Sequence, residues 1–385
     1  MFIRFPRPRG PYHERQSLWF LCYDYVNLSV RRRLSRAAEE RVSMNVVVIV
    51  ANGLRPSEMG PYGNEWLPTP HLDRLAAESI VFDQHFLDAS PFAFHTRAHF
   101  AMVEAESPIA WPSQVEILEY PNLLPPWDPP ENLLEEQFEE WEFEEEPEPW
   151  LDPQPARVDS GDQVTLERLR RTYAASVRQF DDWLGELLDQ SNDRDLLILT
   201  SWRGQHLGEH GIVGDFRPWL YEEFVHLPLI VRLPGREQAG RRVWHLTQSL
   251  DIAPTIFDSL GSPVPEGWHG KSLLPLCRGG GALRDYIVMS HALGDAGELA
   301  LQSPEVKSIL PTKTPPDDPP RTPMFFVKPD DRWDVNDLRQ QNLDYAEQLE
   351  RTILEFVAAA QRPGPLVAPP LPQREMMYAD RETGG

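Results

Sequence analysis

The stretch MNVVVIVANGLRPSEMGPYGNEWLPTPHLDRLAAESIVFDQHFLDASPFAFHTRAHF, residues 44–100, decides the fold. Residues 45–51 (NVVVIVA) form a continuous β-branched run. Without polar alternation, such a run suits a strand buried on both faces of a parallel sheet. Thr69-Pro70 then signals a helix over 71–78, with Thr69 as its N-cap and Pro70 at the first helical position. Residues 80–86 read as the next strand, and a second helix is expected from about Thr96.

Outward from this stretch the charge changes sign. The chain has 385 residues, enough for a sizeable core, and a formal net charge of -23. Residues 1–43 carry nine Arg and four acids, including RRRLSR at 31–36. They read as a basic extension, disordered or not native, since Met44 opens the first strand directly; a surface helix over 26–40 is an equal alternative. Residues 98–156 carry sixteen acids and no Lys or Arg. The acidic balance argues against nucleic acid, because phosphate backbones demand positive potential. No run reaches the ~18 apolar residues of a membrane span. Residues 17–30 are apolar but contain Asp24 and lack a small-residue cleavage site, which makes a poor signal peptide. The two cysteines, Cys22 and Cys277, form no disulfide framework and no metal-ligand pattern. A reducing, cytoplasmic setting is expected.

Residues 104–156 form an acidic, Pro- and Glu-rich insert, with PNLLPPWDPPENL extended or turn-like. Ten Glu lie between 131 and 148. Such a block repels itself and makes poor core, although Phe138, Trp141 and Phe143 could dock it. Residues 164–190 are the clearest helix. Leu166, Leu169, Tyr173, Val177, Phe180, Leu184 and Leu187 fall at three- and four-residue steps on one face. Residues 195–200 and 225–233 read as strands and 249–260 as a helix. A boundary is expected at 278–281, followed by a small subdomain over 282–360 and a frayed tail over 361–385.

Several segments resemble the sulfatase family of the alkaline-phosphatase-like superfamily. In that family the first strand ends in Asp-Asp, which binds a divalent cation; the matching pair here is Asn52-Gly53. The family then carries Cys/Ser-x-Pro-x-Arg, whose first residue becomes the formylglycine nucleophile. The window here is Ala93-Phe94-His95-Thr96-Arg97, with Ala93 in the nucleophile's place. Where the family supplies a pocket His from a His-x-Pro-Tyr-like segment, this chain reads Leu124-Pro125-Pro126-Trp127. The family's Thr-Ser-Asp-His-Gly-Glu then aligns with Thr200-Ser201-Trp202-Arg203-Gly204-Gln205. The following Leu-Gly-Glu-His-Gly is intact at 207–211, and Asp215 occupies the place of a substrate-contacting Lys. KPDDRWDVNDL at 328–338 matches a recurrent family tail. The resemblance spans roughly 44–360. It implies an α/β fold: a mostly parallel mixed sheet sandwiched by helices, with a small C-terminal α+β subdomain.

The resemblance also implies calcium or magnesium, but the aligned letters offer neither with carboxylates. Hard divalent cations need several anionic oxygens. Asn52, Gly53, Trp202 and Arg203 provide none, and Arg203 adds a fixed positive charge. Alanine at 93 can neither attack nor be oxidised. The chain is therefore expected to be a pseudo-sulfatase, with no cofactor and a binding or assembly role. Arg97, Arg203, His210 and Arg55 are candidates for a remnant anion site. The plainer expectation is that Arg203 salt-bridges a nearby acid while Trp202 plugs the cavity. An alternative is a divergent hydrolase of sulfuric or phosphoric esters with a rebuilt site. His95 and His99, one helical turn apart, would then hold zinc with His85 or Asp88. Glu209-His210 would suit proton transfer but has nothing to act on. The acidic segment 131–148 is the candidate partner-binding element, for a basic protein surface. A drifting paralogue with no present role fits the same letters.

Overall fold

The computed structural model describes residues 44–90 and 111–373, apart from 145, 147, 266–267, 294, 316–317 and 363–365. Strand β1 (Val46–Ala51) has all six residues buried. Val47, Ile49 and Ala51 enter one hydrophobic cluster, and Val46, Val48 and Val50 enter a second on the opposite face. This is the two-sided burial that the unbroken β-branched run predicts. Each fully buried Val or Ile contributes at most about 1.5–3 kcal/mol of transfer free energy.

Helix α1 (Pro70–Ala77) follows as expected, but Thr69 does not cap it. The Thr69 hydroxyl accepts from the Gly60 amide instead, and Asp181 accepts from the His71 and Leu72 amides at 3.1 and 2.8 Å. The expected strand over 80–86 divides into β2 (Ile80–Phe82) and β3 (His85–Phe86), followed by β4 (Ala89–Ser90). The expected helix from Thr96 lies outside the described residues.

The acidic insert is more ordered than its composition suggests. It supplies β5 (Val115–Tyr120) and helix α2 (Glu131–Phe138). Leu133, Leu134 and Phe138 fall on one helical face and pack against Ala175, leaving Glu131, Glu135 and Glu136 in solvent. Strand β6 (Ala156–Arg157) then leads into helix α3 (Gln163–Gln190), capped by Asp162 accepting from Thr165 N. Leu169, Tyr173, Val177, Phe180, Leu184 and Leu187 all enter the first cluster.

Beyond α3 come β7 (Leu196–Thr200), β8 (Ile212–Val213), the single turn α4 (Glu222–Val225) and β9 (Leu229–Arg232). The expected strand over 225–233 is thus shorter, because Val225 ends α4 and β9 begins only at Leu229. Strands β10 (Arg241–Val243) and β11 (Thr247–Gln248) precede helices α5 (Ile252–Ser259) and α6 (Leu274–Cys277). The central sheet runs β10-β2-β9-β7-β1-β5. The β10–β2, β7–β1 and β1–β5 pairs are parallel, and the two pairs made by β9 are antiparallel. The first cluster lies under α1 and α3 and the second under α5 and α6, so helices cover both faces. This is the expected α/β sandwich.

The C-terminal subdomain is an antiparallel meander of β12 (Ile287–Leu293), β13 (Ala296–Gln302), β14 (Val306–Lys313) and β15 (Met324–Val327). Helix α7 (Leu343–Ala360) packs on it through Ala346, Leu349 and Ile353. Strand β4 joins β12 in parallel and continues this sheet. Part of the tail expected to fray is docked: Tyr286 and Tyr345 donate to the Pro369 and Pro372 carbonyls at 2.6 and 3.3 Å. No helix among the described residues is long and apolar enough to cross a membrane.

Candidate functional site

Strand β1 ends at Ala51 and delivers Asn52-Gly53 to the carboxyl edge of the sheet, where ligands bind in open α/β folds. Gly53 takes φ +93°, and its backbone is held from several directions. Its N–H donates to the Arg203 carbonyl and the Ser201 hydroxyl, each at 3.1 Å. Its carbonyl accepts from Tyr173 at 2.9 Å and from Gln205 at 2.8 Å. A Cβ at this position would lie 2.7 Å from Leu124 Cδ2 and 3.0 Å from the Leu123 carbonyl. A side chain at residue 53 would therefore be strained by this φ and would displace the Leu124 side chain. Asn52 Oδ1 is buried and makes no hydrogen bond.

Arg203 leaves the end of β7 and is 5% exposed. It forms a two-pronged ion pair with Asp215: Nη2 donates to Oδ2 at 2.8 Å and Nη1 to Oδ1. The guanidinium also lies 5.7 Å over the Phe224 ring. Burial lowers its pKa, and Asp215 opposes that shift. The expected salt bridge thus joins two aligned positions with their charges exchanged: a cation where the family has a metal ligand, an acid where it has a Lys. Trp202 is half-buried and packs against the second cluster, beneath α5 and α6.

Arg55 is also tied within the fold. Its Nη2 donates to Glu58 Oε1 at 2.9 Å, and its Nη1 reaches Glu209 Oε1 at 2.6 Å and the Gln205 carbonyl at 3.2 Å. Burial works against its charge, but Glu209 and Glu58 outweigh it and raise the pKa. Arg55 and Arg203 are therefore both neutralised by acids of the chain itself. Ala93, His95, Arg97 and His99 lie outside the described residues. His85, proposed as a further zinc ligand, donates or accepts at Nδ1 with Thr247 Oγ1 at 3.0 Å. Its burial pushes the imidazole pKa down to about 3.

The intact frame at 207–211 organises a carboxylate that the sequence reading missed. Glu223, on α4, is 3% exposed and takes two histidines on one oxygen: His206 Nδ1 at 3.0 Å and His210 Nδ1 at 2.8 Å. Gly204 makes room for it, since a Cβ there would sit 2.0 Å from the Glu223 carbonyl oxygen. His210 stacks on Tyr221 at 3.6 Å, and its Nε2 lies 3.2 Å from the Asp334 carbonyl. Burial disfavours the His210 cation, but hydrogen bonding and charge from Glu223 outweigh it, so the pKa is raised. Burial likewise opposes the Glu223 anion, and the two histidines outweigh it and depress its pKa.

Beside this group lies a second buried set, also missed. Glu222 faces Lys328 and Lys307 at 3.5 and 3.8 Å and His226 Nδ1 at 3.1 Å. Asp334 receives Lys307 at 2.5 Å and Lys328 at 2.8 Å. Two lysines and two carboxylates cancel, joining α4 to the C-terminal sheet. The signal was present as adjacent acids at 222–223, but such a pair usually marks a solvated surface.

Together these contacts test the family cation. The four aligned ligand positions offer one neutral amide oxygen, a glycine without room for a side chain, an indole and a paired guanidinium. Those residues do not fit a calcium or magnesium ion, which needs several anionic oxygens at 2.0–2.6 Å by the usual coordination distances, roughly. Chemically, the arrangement holds the strand ends together through Gly53, Ser201, Arg203 and Gln205.

Comparison with known proteins gives a consistent kinship. Residues 208–288 match the family model described as N-sulphoglucosamine sulphohydrolase, C-terminal. The multifunctional alkaline phosphatase superfamily protein PehA of Trinickia caryophylli is 32% identical over 126 residues, 31% of this chain and 24% of that protein. N-acetylglucosamine-6-O-sulfatase of Bacteroides thetaiotaomicron is 34% identical over 115 residues, 29% of this chain and 20% of that one. Human arylsulfatase K is 34% identical over 116 residues, 29% of this chain and 21% of that one. The matched stretch thus spans a quarter or less of the curated relatives. The fold likeness reaches further. The phosphonate monoester hydrolase of Agrobacterium radiobacter superposes with a TM-score of 0.59 at 14% identity, covering 83% of this chain and 96% of that one. A protein solved with its substrate D-glucosamine-2-N,6-O-disulfate gives 0.62 at 15% identity, with 83% and 98% covered. The chain thus resembles sulfatases and related hydrolases over part of its length and shares the alkaline-phosphatase-like fold of the superposed structures.

Proposed function

We propose that this protein is a non-catalytic sulfatase relative that acts by binding. One observation carries the reading: Arg203 and Asp215 neutralise each other at the two places where the family puts a cation ligand and a substrate-contacting Lys. A cation brought to that place would meet a guanidinium, and a sulfate would meet a carboxylate. The partner-binding element is the acidic insert. Its helix α2 is anchored by Leu133, Leu134 and Phe138, while Glu131, Glu135, Glu136, Glu139 and Glu140 face solvent and suit a basic protein surface. Anchoring an acidic stripe on a rigid helix favours a specific partner over diffuse charge attraction.

The test is metal analysis of the purified protein together with an ester screen on the same sample. The screen includes aryl sulfates, phosphate monoesters and N-acetylglucosamine 6-sulfate, the last chosen from the name of a relative. The expected result is no stoichiometric calcium, magnesium or zinc and no turnover above buffer. Turnover that is abolished by Arg97→Ala would overturn the reading. Stoichiometric zinc lost in a His95→Ala, His99→Ala double variant would favour the rebuilt-site hydrolase.

A further inference from the structure

A cavity of about 220 Å³ opens between β6, the loop that follows Asp215 and the β13–β14 hairpin. In a chain of net charge -23 its charged lining is cationic: Arg157, Arg217, Lys313 and Arg321 against Asp318 and Glu298. The guanidinium groups are positioned on aromatic faces. Arg217 lies 4.1 Å over Phe216, Arg321 lies 4.1 Å over Trp219, and Arg157 lies 5.6 Å from Phe216 and 5.8 Å from Trp219. Stacking of this kind fixes the donors before a ligand arrives.

One acid sits inside this frame in the manner of a ligand. Asp318 Oδ2 accepts from Arg217 Nε at 2.5 Å, and Oδ1 accepts from Arg217 Nη2 at 2.8 Å. The same Oδ1 lies 3.1 Å from Arg157 Nη2. Those hydrogen bonds and charges hold the Asp318 carboxyl down at about 2. It is therefore an anion at any neutral pH. Arg321 is instead bound to Glu298, a wall residue that is 3% exposed. Lys313 is exposed and has no ion-pair partner among the described residues.

We infer that this cavity is a binding site for a small oxyanion-bearing ligand, and that Asp318 is its internal surrogate. A carboxylate, sulfate or phosphate group entering the cavity would take donors from Arg157 and Arg217 and meet Lys313, while the Asp318 side chain swings to solvent. A planar guanidinium pair recognises all three groups by the same bidentate geometry. The site is separate from the aligned cation positions, so the inference holds whether or not any family chemistry survives.

Titration calorimetry of the full chain with sodium sulfate, sodium phosphate and sodium acetate, at ionic strength matched with chloride, tests this. Saturable binding of at least one of them is expected, and the three arms identify the preferred group. Asp318→Asn should tighten that binding by about tenfold or more, and Lys313→Ala and Arg157→Ala should each weaken it by about tenfold, the scale of one charge-assisted contact. Asp318→Ala serves as a second variant should the amide hold the arginines by itself. Absence of saturable binding in both the native chain and the Asp318 variants would overturn the inference. So would binding that is unaffected by Lys313→Ala and Arg157→Ala.

Discussion

Arg55 and Arg157 show how differently one residue type behaves in two regions of this molecule. Arg55 is 4% exposed, locked between Glu58 and Glu209 at the end of the first strand. The Arg157 side chain is 48% exposed and shares Asp318 with Arg217. Around Arg55 the described arginines, Arg55 and Arg203, each have an acid partner and are themselves buried. Around Arg157 cations outnumber acids and a cavity persists. One fold thus holds matched charges at its aligned cation positions and unmatched charges elsewhere. Charge that is matched and buried closes a site, whereas charge in excess at an opening keeps one available.

The contrast can be broken most strongly at Arg55. Arg55→Ala should destabilise the fold by about 3–5 kcal/mol, because Glu58 is left buried without its counter-charge. Urea unfolding measures this, and a loss below about 1 kcal/mol would mean that water reaches the site. Next, Gly53→Asp restores a family ligand into a place that lacks room. It should cost about 1–3 kcal/mol through its φ of +93° and the Leu124 contact, with no rise in Tm on adding calcium. A calcium-dependent rise would show that the cation site can still be rebuilt.

A third test uses the Glu223–His210 pair. His210, raised above 6.5, stabilises fully below that value and loses this as pH climbs through its folded pKa. Glu223, depressed below 4.5, stabilises above that value and loses this as pH falls through its folded pKa. The pair thus holds best between 4.5 and 6.5. Tm of the native chain should fall as pH rises past this window, and Glu223→Gln should flatten the decline; parallel profiles would remove the link. The smallest effect is expected at the open region, where Arg157→Ala should change stability by less than about 1 kcal/mol. A large loss there would erase the distinction between the two regions.

Much of the frame was legible because its elements are long and strongly periodic. The run at 45–51 and the helix from 163 to 190 each carry enough buried residues to outvote local exceptions. Helix α2 was hidden because Glu131, Glu135 and Glu136 dominate the composition while Leu133, Leu134 and Phe138 decide the packing. Strand β5 was hidden for a similar reason, since Glu116 and Glu119 interrupt its apolar residues. At the aligned cation positions, the substitutions and a salt bridge at Arg203 were legible, but its partner was not. Arg203 and Asp215 lie twelve residues apart, and only the fold brings them into contact. Lys307, Lys328, Asp334 and Glu222 belong to residue types that are rarely buried unless paired. They are buried because they cancel in space, which no local window records.

The cap on helix α1 has a consequence for synthesis. Its amides at His71 and Leu72 are satisfied by Asp181, up to 110 residues downstream. At translation rates of about 5–20 residues per second, that carboxylate emerges roughly 5–20 s after the helix it completes. Until then the nascent helix start is held only by Pro70 and by water. The start of α1 is thus completed only by α3, and an interrupted chain ending before residue 181 would lack that cap.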